Sequence, residues 1–372
     1  MKGFFTWLSR RRRGPSNRFI IFLALIAAVA IWAGDHHRRW LIYLRVTGVP
    51  QLHALPPDQT GYAVELLPFH FAASFVRDHQ VYFADSQGRV FQTDDRAPPA
   101  SARMLGDARI EPRMLFVSGR GTMFVSGLGF STLRSLDGGI TWKESHELSV
   151  WRMAENEVSH AIYAGVYTRK DRSRYTAKLL RSMDEGETWQ AVFEDRQLDH
   201  VHSVRWDPRF RRLYLSAGDG AHRGQAYSED EGKSWHWINT GGKQGHTDLA
   251  VSESHIFWGS DDNLGRILRA PRGTVSDGTT ILWGADHHVW WLVAQGRQIY
   301  AGTFTGERKK YNGAYLLASS DEGATWQKLL EDSDGARLSA FQAESRQLSA
   351  GGWLYCATMS GKTYRMRRTP KT

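Results

Sequence analysis

One eight-residue pattern, Ser-x-Asp-x-Gly-x-Thr/Ser-Trp, occurs four times in this chain of 372 residues. The copies span residues 135–142, 182–189, 228–235 and 319–326. In such a pattern the Asp carboxylate can accept backbone N–H groups across a turn, and Gly tolerates a positive φ. The Trp brings a large apolar side chain to the strand that follows. The pattern therefore predicts a recurring hairpin turn, so the fold must repeat one β unit.

The spacing of the copies predicts further, degenerate copies. The pattern's acidic residues, Asp137, Asp184, Asp230 and Asp321, are 47, 46 and 91 residues apart. The last interval is nearly two periods, so we expect a weakened copy near residue 275. Segments 89–95 and 361–366 show the same apolar alternation one period before and one period after. Repeats of forty-odd residues with several short strands are typical of a β-propeller.

A second set of short β-rich runs recurs in step with the turns. There are seven of them, at residues 81–85, 122–126, 161–165, 213–217, 256–259, 299–302 and 354–357. We therefore predict an all-β, seven-bladed propeller over residues 61–372. The seventh repeat ends after its third strand, so residues 62–67 are predicted to supply the missing fourth strand. Closing the ring in this way protects sheet edges that would otherwise stay open.

The repeated turn resembles the Asp-box, or BNR repeat, of sialidases and many other β-propeller proteins. The resemblance covers most of residues 75–330 and implies the fold, since activity does not follow from fold alone. Enzymes similar to sialidases have six blades and an early Arg-Ile-Pro motif, whereas this chain has Arg109-Ile-Glu-Pro112. An active sialidase is therefore not expected. A seven-bladed Asp-box propeller is also similar to the photosystem II assembly factor family, in which an arginine patch contacts a partner protein.

The formal charge of +9 is concentrated at the N-terminus. Residues 1–45 contain nine Lys and Arg residues and one acid, Asp35, so the rest of the chain carries only about +1. A nearly neutral body does not present the basic footprint of a nucleic-acid-binding protein, and we expect no nucleic-acid partner. The single cysteine, Cys356, excludes an internal disulfide.

Fifteen apolar residues, 19–33, follow the basic run Arg10–Arg13. We predict a basic cytoplasmic tail at residues 1–18, a transmembrane signal-anchor at 19–34 that lies in the lipid bilayer, and a linker at 35–60. A cleaved signal peptide ending at the small residues Ala28-Val-Ala30 is the alternative. Either interpretation places the body outside the cytoplasm. With the anchor retained, the protein is single-pass in the inner (plasma) membrane, with the propeller in the periplasm.

The repeated turns should lie on one face of the propeller and a ligand site on the other, around the central channel. We accordingly assign a structural role to the four turn aspartates. The loops that lead into the innermost strands carry a recurring basic or imidazole residue. They contain His70, Arg109, Arg113, Arg152, His200, His202, His246, His287, His288 and Arg337. From these and the loops after the second strands we predict a ligand-binding mouth formed by His70, Arg113, Arg152, His222, Arg223 and His288. Such a mouth suits carboxylated, sulfated or phosphorylated ligands, because Arg binds these groups bidentately.

A sharper hypothesis places a divalent metal on His202, His246 and His288, since imidazoles are common ligands for such ions. This pattern is similar to that of seven-bladed uronate lyases, which use mouth histidines and, in some families, a divalent metal. In a lyase, His202 or His246 would act as the base, and Arg337 or Arg113 would neutralise the substrate carboxylate. For a hydrolase, the carboxylate pair would be Asp219 and Asp261.

The sequence thus predicts a membrane-anchored propeller that binds an anionic glycan or a membrane-protein partner, with surface-polysaccharide handling as one setting. The alternatives are a glycan-active enzyme, either a lyase or a hydrolase, and a non-enzymatic assembly scaffold.

Overall fold

The computed structural model describes residues 46, 61–127, 129, 131–167, 176–219, 222–240, 247–260, 265–274, 278–282, 288–304, 313–332, 341–342 and 347–369. Within them, twenty-eight strands form seven four-stranded antiparallel sheets, which confirms the all-β, seven-bladed propeller. The predicted tail and anchor, residues 1–34, lie outside the described residues. None of the helical structure in the described part is long and apolar enough to cross a membrane.

The first four blades follow one another along the chain. Blade 1 contains β2 (Ala73–Arg77), β3 (Gln80–Ala84), β4 (Arg89–Asp94) and β5 (Arg103–Asp107), with a 3-10 turn at Pro99–Ser101. Blade 2 contains β6 (Met114–Val117), β7 (Met123–Ser126), β8 (Thr132–Ser135) and β9 (Lys143–His146). Blade 3 contains β10 (Val150–Asn156), β11 (Ala161–Val166), β12 (Ala177–Ser182) and β13 (Gln190–Asp195). Blade 4 contains β14 (Val201–Asp207), β15 (Arg212–Ala217), β16 (Gly224–Ser228) and β17 (His236–Thr240).

The remaining blades complete the ring. Blade 5 contains β18 (Asp248–Val251), β19 (His255–Gly259), β20 (Ile267–Pro271) and β21 (Thr279–Leu282). Blade 6 contains β22 (His288–Gln295), β23 (Gln298–Phe304), β24 (Ala314–Ser319) and β25 (Gln327–Asp332). Blade 7 contains β26 (Phe341–Gln342), β27 (Leu354–Thr358) and β28 (Thr363–Arg368), together with β1 (Tyr62–Leu66). Blade 5 occupies the interval in which the sequence predicts a weakened repeat.

Strand β1 is the outermost strand of blade 7, although it comes first in the described fold. It pairs antiparallel with β28, from Tyr62 opposite Arg368 to Leu66 opposite Tyr364. An ion pair of 2.7 Å between Glu65 and Arg365 joins the same two strands. The first and last segments of the propeller are therefore held in one sheet, which is the arrangement that the sequence predicts for residues 62–67.

The hydrophobic core lies between neighbouring sheets. One cluster combines Phe75 of blade 1 with Phe116 and Phe124 of blade 2, and the Phe75 and Phe116 rings are 5.0 Å apart. Trp189, the last residue of the blade 3 turn, packs edge-on against Phe124 at 6.2 Å. The Trp of the repeated pattern thus fills space between two blades, as its apolar surface predicts.

The repeated turns have the same hydrogen bonds in all four copies. In the first copy, Asp137 accepts bonds from the Thr141 backbone N–H (2.9 Å) and hydroxyl (2.5 Å), and Ser135 Oγ accepts from Gly139 N–H (2.8 Å). The Thr141 hydroxyl and N–H lower the pKa of Asp137 to about 2, because they stabilise the ionised carboxylate. The equivalent bonds recur around Asp184, Asp230 and Asp321.

In three of the four repeated turns, the residue that follows the turn Asp joins its blade to the blade before it. Glu185, Glu231 and Glu322 hold this position with φ between 56° and 60°. Their carboxylates accept hydrogen bonds from Ser118, from Asn156, and from Ser252 with Ser254, respectively, all in the preceding blade. Their backbone carbonyls accept from Arg134, Arg181 and Arg269, again in the preceding blade. We call these three residues the clasp glutamates. The repeated turns therefore hold neighbouring blades together, and we expect a binding site on the opposite face of the propeller.

Candidate functional site

Three innermost strands begin with a β-bulge that sets one residue out of the ladder. In β10 the pairing passes from Val150 to Arg152, so Trp151 has no partner on β11. In β14 the residue left out is His202, and in β22 it is Trp290. Bulges of this kind re-aim a side chain and are frequent next to binding sites. All three residues lie where their strands start, on the face opposite the repeated turns.

The bulged tryptophans belong to a chain of aromatic rings that crosses the channel mouth. Trp151 of blade 3 and Trp290 of blade 6 are 6.0 Å apart with their planes at 85°. Tyr167 lies 4.1 Å from Trp151, and Phe304 lies 4.2 Å from Trp290. We call these four residues the aromatic arc. Blades 3 and 6 stand on opposite sides of a seven-membered ring, so the Trp151–Trp290 contact spans the mouth.

A cavity of about 250 Å³ occupies the channel below Trp151. Its wall includes the apolar side chains of Phe75 and Phe116 and the charged groups of Arg152, Glu155 and Arg205. Arg152, predicted as a ligand-binding residue, is buried there: its guanidinium donates to the Trp151 carbonyl (2.9 Å) and lies 5.1 Å from the centre of the Trp151 ring. A cation over an indole face is favourable, so Arg152 supports the tryptophan from below.

Beside the aromatic arc, two histidines and an aspartate meet. Nε2 of His200 is 2.8 Å from Nε2 of His202, which is 3.1 Å from Oδ1 of Asp219. Nε2 of His200 is 3.6 Å from Oδ2 of Asp219. Both histidines are 7% exposed, whereas the Asp219 side chain is 52% exposed. We call these three residues the His–Asp cluster.

The aromatic arc and the neighbouring acid surround this cluster. The Tyr167 ring packs 3.8 Å from His200, and the Trp151 ring lies 6.0 Å from His202. Burial raises the pKa of Asp199, the residue before His200, and the Asp219 carboxylate raises it further. The mouth therefore combines a cross-channel aromatic surface with two buried imidazoles and a carboxylate that faces solvent.

The other predicted site residues are distributed around the mouth. Burial lowers the pKa of His70, whose Nδ1 is 3.5 Å from the Thr363 hydroxyl. Arg113 is half-exposed with Glu111 at 3.4 Å. His222 is 3.2 Å from the Gln197 carbonyl, at the end of the same loop as Asp219.

The metal site predicted from His202, His246 and His288 includes a residue outside the described part of the chain, so it stays a prediction. His288 packs beside Phe304 at 6.2 Å, and the groups of potential metal ligands among the described residues do not include it. His246, Arg337 and Asp261 lie outside the described residues, so the roles assigned to them stay predictions. Arg223 is described, and it precedes β16 beside His222.

Sequence reasoning missed the aromatic arc and the pairing of His200 with Asp219. The sequence predicts charged residues at the mouth, whereas the residues that cross the channel are tryptophans. A usable signal was present: each bulged residue follows a valine at the start of an innermost strand, as in Val150-Trp151, Val201-His202 and Val289-Trp290.

Comparison with solved structures supports the fold. The chain is similar to YCF48 bound to D1 peptide, with 14% identity, a TM-score of 0.54, and coverage of 87% of this chain and 100% of that one. YCF48 from Cyanidioschyzon merolae has 13% identity, a TM-score of 0.56, and coverage of 82% and 99%. An ancestral GH74 enzyme has 15% identity and a TM-score of 0.55, covering 79% of this chain and 44% of that one. No protein-family model and no curated protein matches the chain. Identities this low carry the fold and no activity.

Proposed function

We propose that this protein is a binding propeller whose channel mouth holds an extended segment of a partner protein. The observation that carries the proposal is the contact between Trp151 and Trp290 across the channel. Because the two rings meet across the channel mouth, the mouth offers an aromatic surface that spans the channel. Such a surface fits a chain lying across the propeller, and tryptophans dominate the binding energy of many protein interfaces.

One charge on the mouth face, that of Arg113, favours an acidic segment. Arg113 is half-exposed on the mouth face with only the 3.4 Å contact to Glu111 among its described ion pairs. A guanidinium on the rim can pair with a carboxylate of the partner, which adds specificity and speeds association. The fold is compatible with this use, since YCF48 with a similar fold has been solved bound to D1 peptide.

An anionic glycan is the second candidate ligand. It is favoured by the half-buried rings of Trp151 and Trp290, whose apolar faces can pack against sugar rings. An ancestral GH74 enzyme shares the fold. If the glycan were also cut, the protein would be a lyase or a hydrolase, and products would appear on incubation. The Trp151–Trp290 contact suits an extended segment that lies across the channel, so the protein segment is proposed first.

In this proposal residues 19–34 anchor the chain in the inner membrane and the propeller works in the periplasm. The partner is then a membrane protein or a protein at the membrane surface, and the propeller acts as a scaffold for its assembly. Handling of a surface polysaccharide is the corresponding setting for the glycan alternative.

Two arrays probed with the same purified protein test the proposal. One carries peptides of graded acidity, and the other carries neutral, uronate-containing and sulfated glycans, with release of products monitored. We expect binding to acidic peptides, lost in Trp290→Ala and kept in Trp237→Ala, which removes an exposed Trp from outer strand β17. Binding restricted to glycans would replace the protein-segment proposal with the glycan one, and binding unaffected by Trp290→Ala would contradict the mouth as the site.

A further inference from the structure

We propose that His200, His202 and Asp219 bind a divalent transition-metal ion, with Zn²⁺ as the best match. The proposal goes beyond partner binding. It can be tested independently of the proposed function, because it concerns the His–Asp cluster and not the aromatic arc. It also differs from the site that the sequence predicts, which combined His202 with His246 and His288.

The geometry of the three ligand atoms fits a metal. Their separations are 2.8, 3.1 and 3.6 Å, measured between the two Nε2 atoms and from each Nε2 to an Asp219 oxygen. Ligands at the usual Zn–N and Zn–O distances of a tetrahedral site lie about 3.3 Å from one another. The 3.1 Å and 3.6 Å distances run to different Asp219 oxygens, so the two Nε2 atoms and one oxygen of this carboxylate lie close enough together to share one ion.

Protonation of the rings explains these contacts less well than a cation does. A neutral imidazole carries one proton on its two nitrogens. Nε2 of His202 has two close neighbours, Nε2 of His200 at 2.8 Å and Oδ1 of Asp219 at 3.1 Å, and the single proton that it can carry must be shared between them. Protons on both Nε2 atoms would collide at 2.8 Å. A metal ion between the three atoms accepts a lone pair from each of them at once.

The surroundings hold the ligands in place. The β14 bulge sets His202 out of the ladder, and Tyr167 packs against the His200 ring. The Asp219 carbonyl accepts the backbone N–H of His222 at 2.9 Å, which closes the loop that carries the carboxylate. Because the two imidazoles are buried and the Asp219 carboxylate is exposed, an ion can reach the ligands from the solvent side of Asp219. Three protein ligands leave a coordination position for water or for a carboxylate of a bound molecule.

A second His–Asp group in the described residues does not carry the same inference. His79, Asp94 and Asp95 also place potential ligand atoms close together. However, Arg96 binds both oxygens of Asp94 (2.8 and 2.7 Å), and Asp95 accepts from the Gly351 N–H (2.7 Å) and faces His79 (2.7 Å). These ion pairs and hydrogen bonds account for the group without a metal, so His79 provides a matched control.

Metal binding by the full-length protein tests the proposal. Chelator-treated protein is titrated calorimetrically with Zn²⁺, and with Co²⁺ while its visible absorption is recorded, since protein-bound Co²⁺ of low coordination number absorbs more strongly than aqueous Co²⁺. We expect one equivalent to bind, with at least 100-fold weaker affinity in His202→Gln and Asp219→Asn and unchanged affinity in His79→Gln. Asp219 is half-exposed, so Asp219→Asn should keep the melting temperature of the metal-free protein. Equal affinities in the wild type and both cluster variants, or no stoichiometric binding by the wild type, would overturn the assignment.

Discussion

Trp151 and Trp290, which come from blades on opposite sides of the ring, contact each other at 6.0 Å across the channel mouth. Each is set out of its ladder by a bulge at the start of an innermost strand. The contact joins the two sides of the mouth through aromatic rings, and Trp151 also lines the channel cavity. We accordingly propose the mouth as the partner-binding face, whereas the repeated turns on the other face hold neighbouring blades together.

The clasp glutamates should contribute measurably to stability. Glu322 accepts hydrogen bonds from the hydroxyls of Ser252 and Ser254, at 2.6 and 2.5 Å, and is buried. Hydrogen bonds to a charged, buried group are worth about 1.5–3 kcal/mol, so we expect Glu322→Gln to lower the free energy of unfolding by about that amount in urea. Glu229→Gln, which weakens an exposed pair with Arg212, should cost less than about 1 kcal/mol. Equal losses of unfolding free energy in the two variants would show that the hydrogen bonds of Glu322 stabilise the fold no more than an exposed ion pair does.

The same carboxylate should make stability pH-dependent in acid. Burial would raise the pKa of Glu322, but hydrogen bonds from Ser252 and Ser254 outweigh it and lower the pKa to about 2, from an ordinary 4.5. The pKa of Glu322 is lower in the folded state than in the unfolded state. The stabilisation from this carboxylate is therefore complete above about pH 4.5 and is lost as the pH falls toward 2. The stability difference between wild type and Glu322→Gln should shrink across that window. A difference that stays constant from pH 7 to pH 2.5 would contradict the assignment.

Much of the fold could be predicted because every blade buries the same faces, so its strands and turns recur at one interval. The interval predicted blade 5 even though that blade lacks a recognisable copy of the repeated turn. The mouth was harder to predict, since whether Trp151 or Trp290 points over the channel depends on a one-residue bulge that hydrophobic periodicity does not encode. The role of Glu322 was hidden for a different reason: its partners belong to another blade, about 70 residues away.

The thiol of Cys356 should be inert in the folded protein. Its side chain is fully buried in β27, and burial raises its pKa well above the ordinary value for cysteine. We expect negligible reaction with a thiol-specific disulfide reagent at pH 8, and reaction of one equivalent after unfolding in guanidinium. Modification of the native protein at the rate of a small free thiol would contradict the packing of blade 7.

Strand β1 should prevent the propeller from associating through the edge of β28. It covers the edge of β28 over five residue pairs, and an uncovered edge is a template for pairing with another chain. A protein that begins at residue 68 is expected to associate or precipitate, whereas one that begins at residue 61 stays monodisperse in light scattering after size-exclusion chromatography. A monodisperse protein lacking β1, with an unchanged melting temperature, would show that closure is dispensable.

The most direct test of the mouth as the binding face is an equilibrium titration of the best acidic array peptide against three proteins. Fluorescence anisotropy of the labelled peptide would give the dissociation constants of the wild type, Trp290→Ala and Trp237→Ala. Loss of an interface tryptophan commonly costs 2 kcal/mol or more, so we expect Trp290→Ala to weaken binding at least about 30-fold and Trp237→Ala to leave it within about twofold. Equal affinities for the wild type and Trp290→Ala, with both proteins folded, would contradict the account.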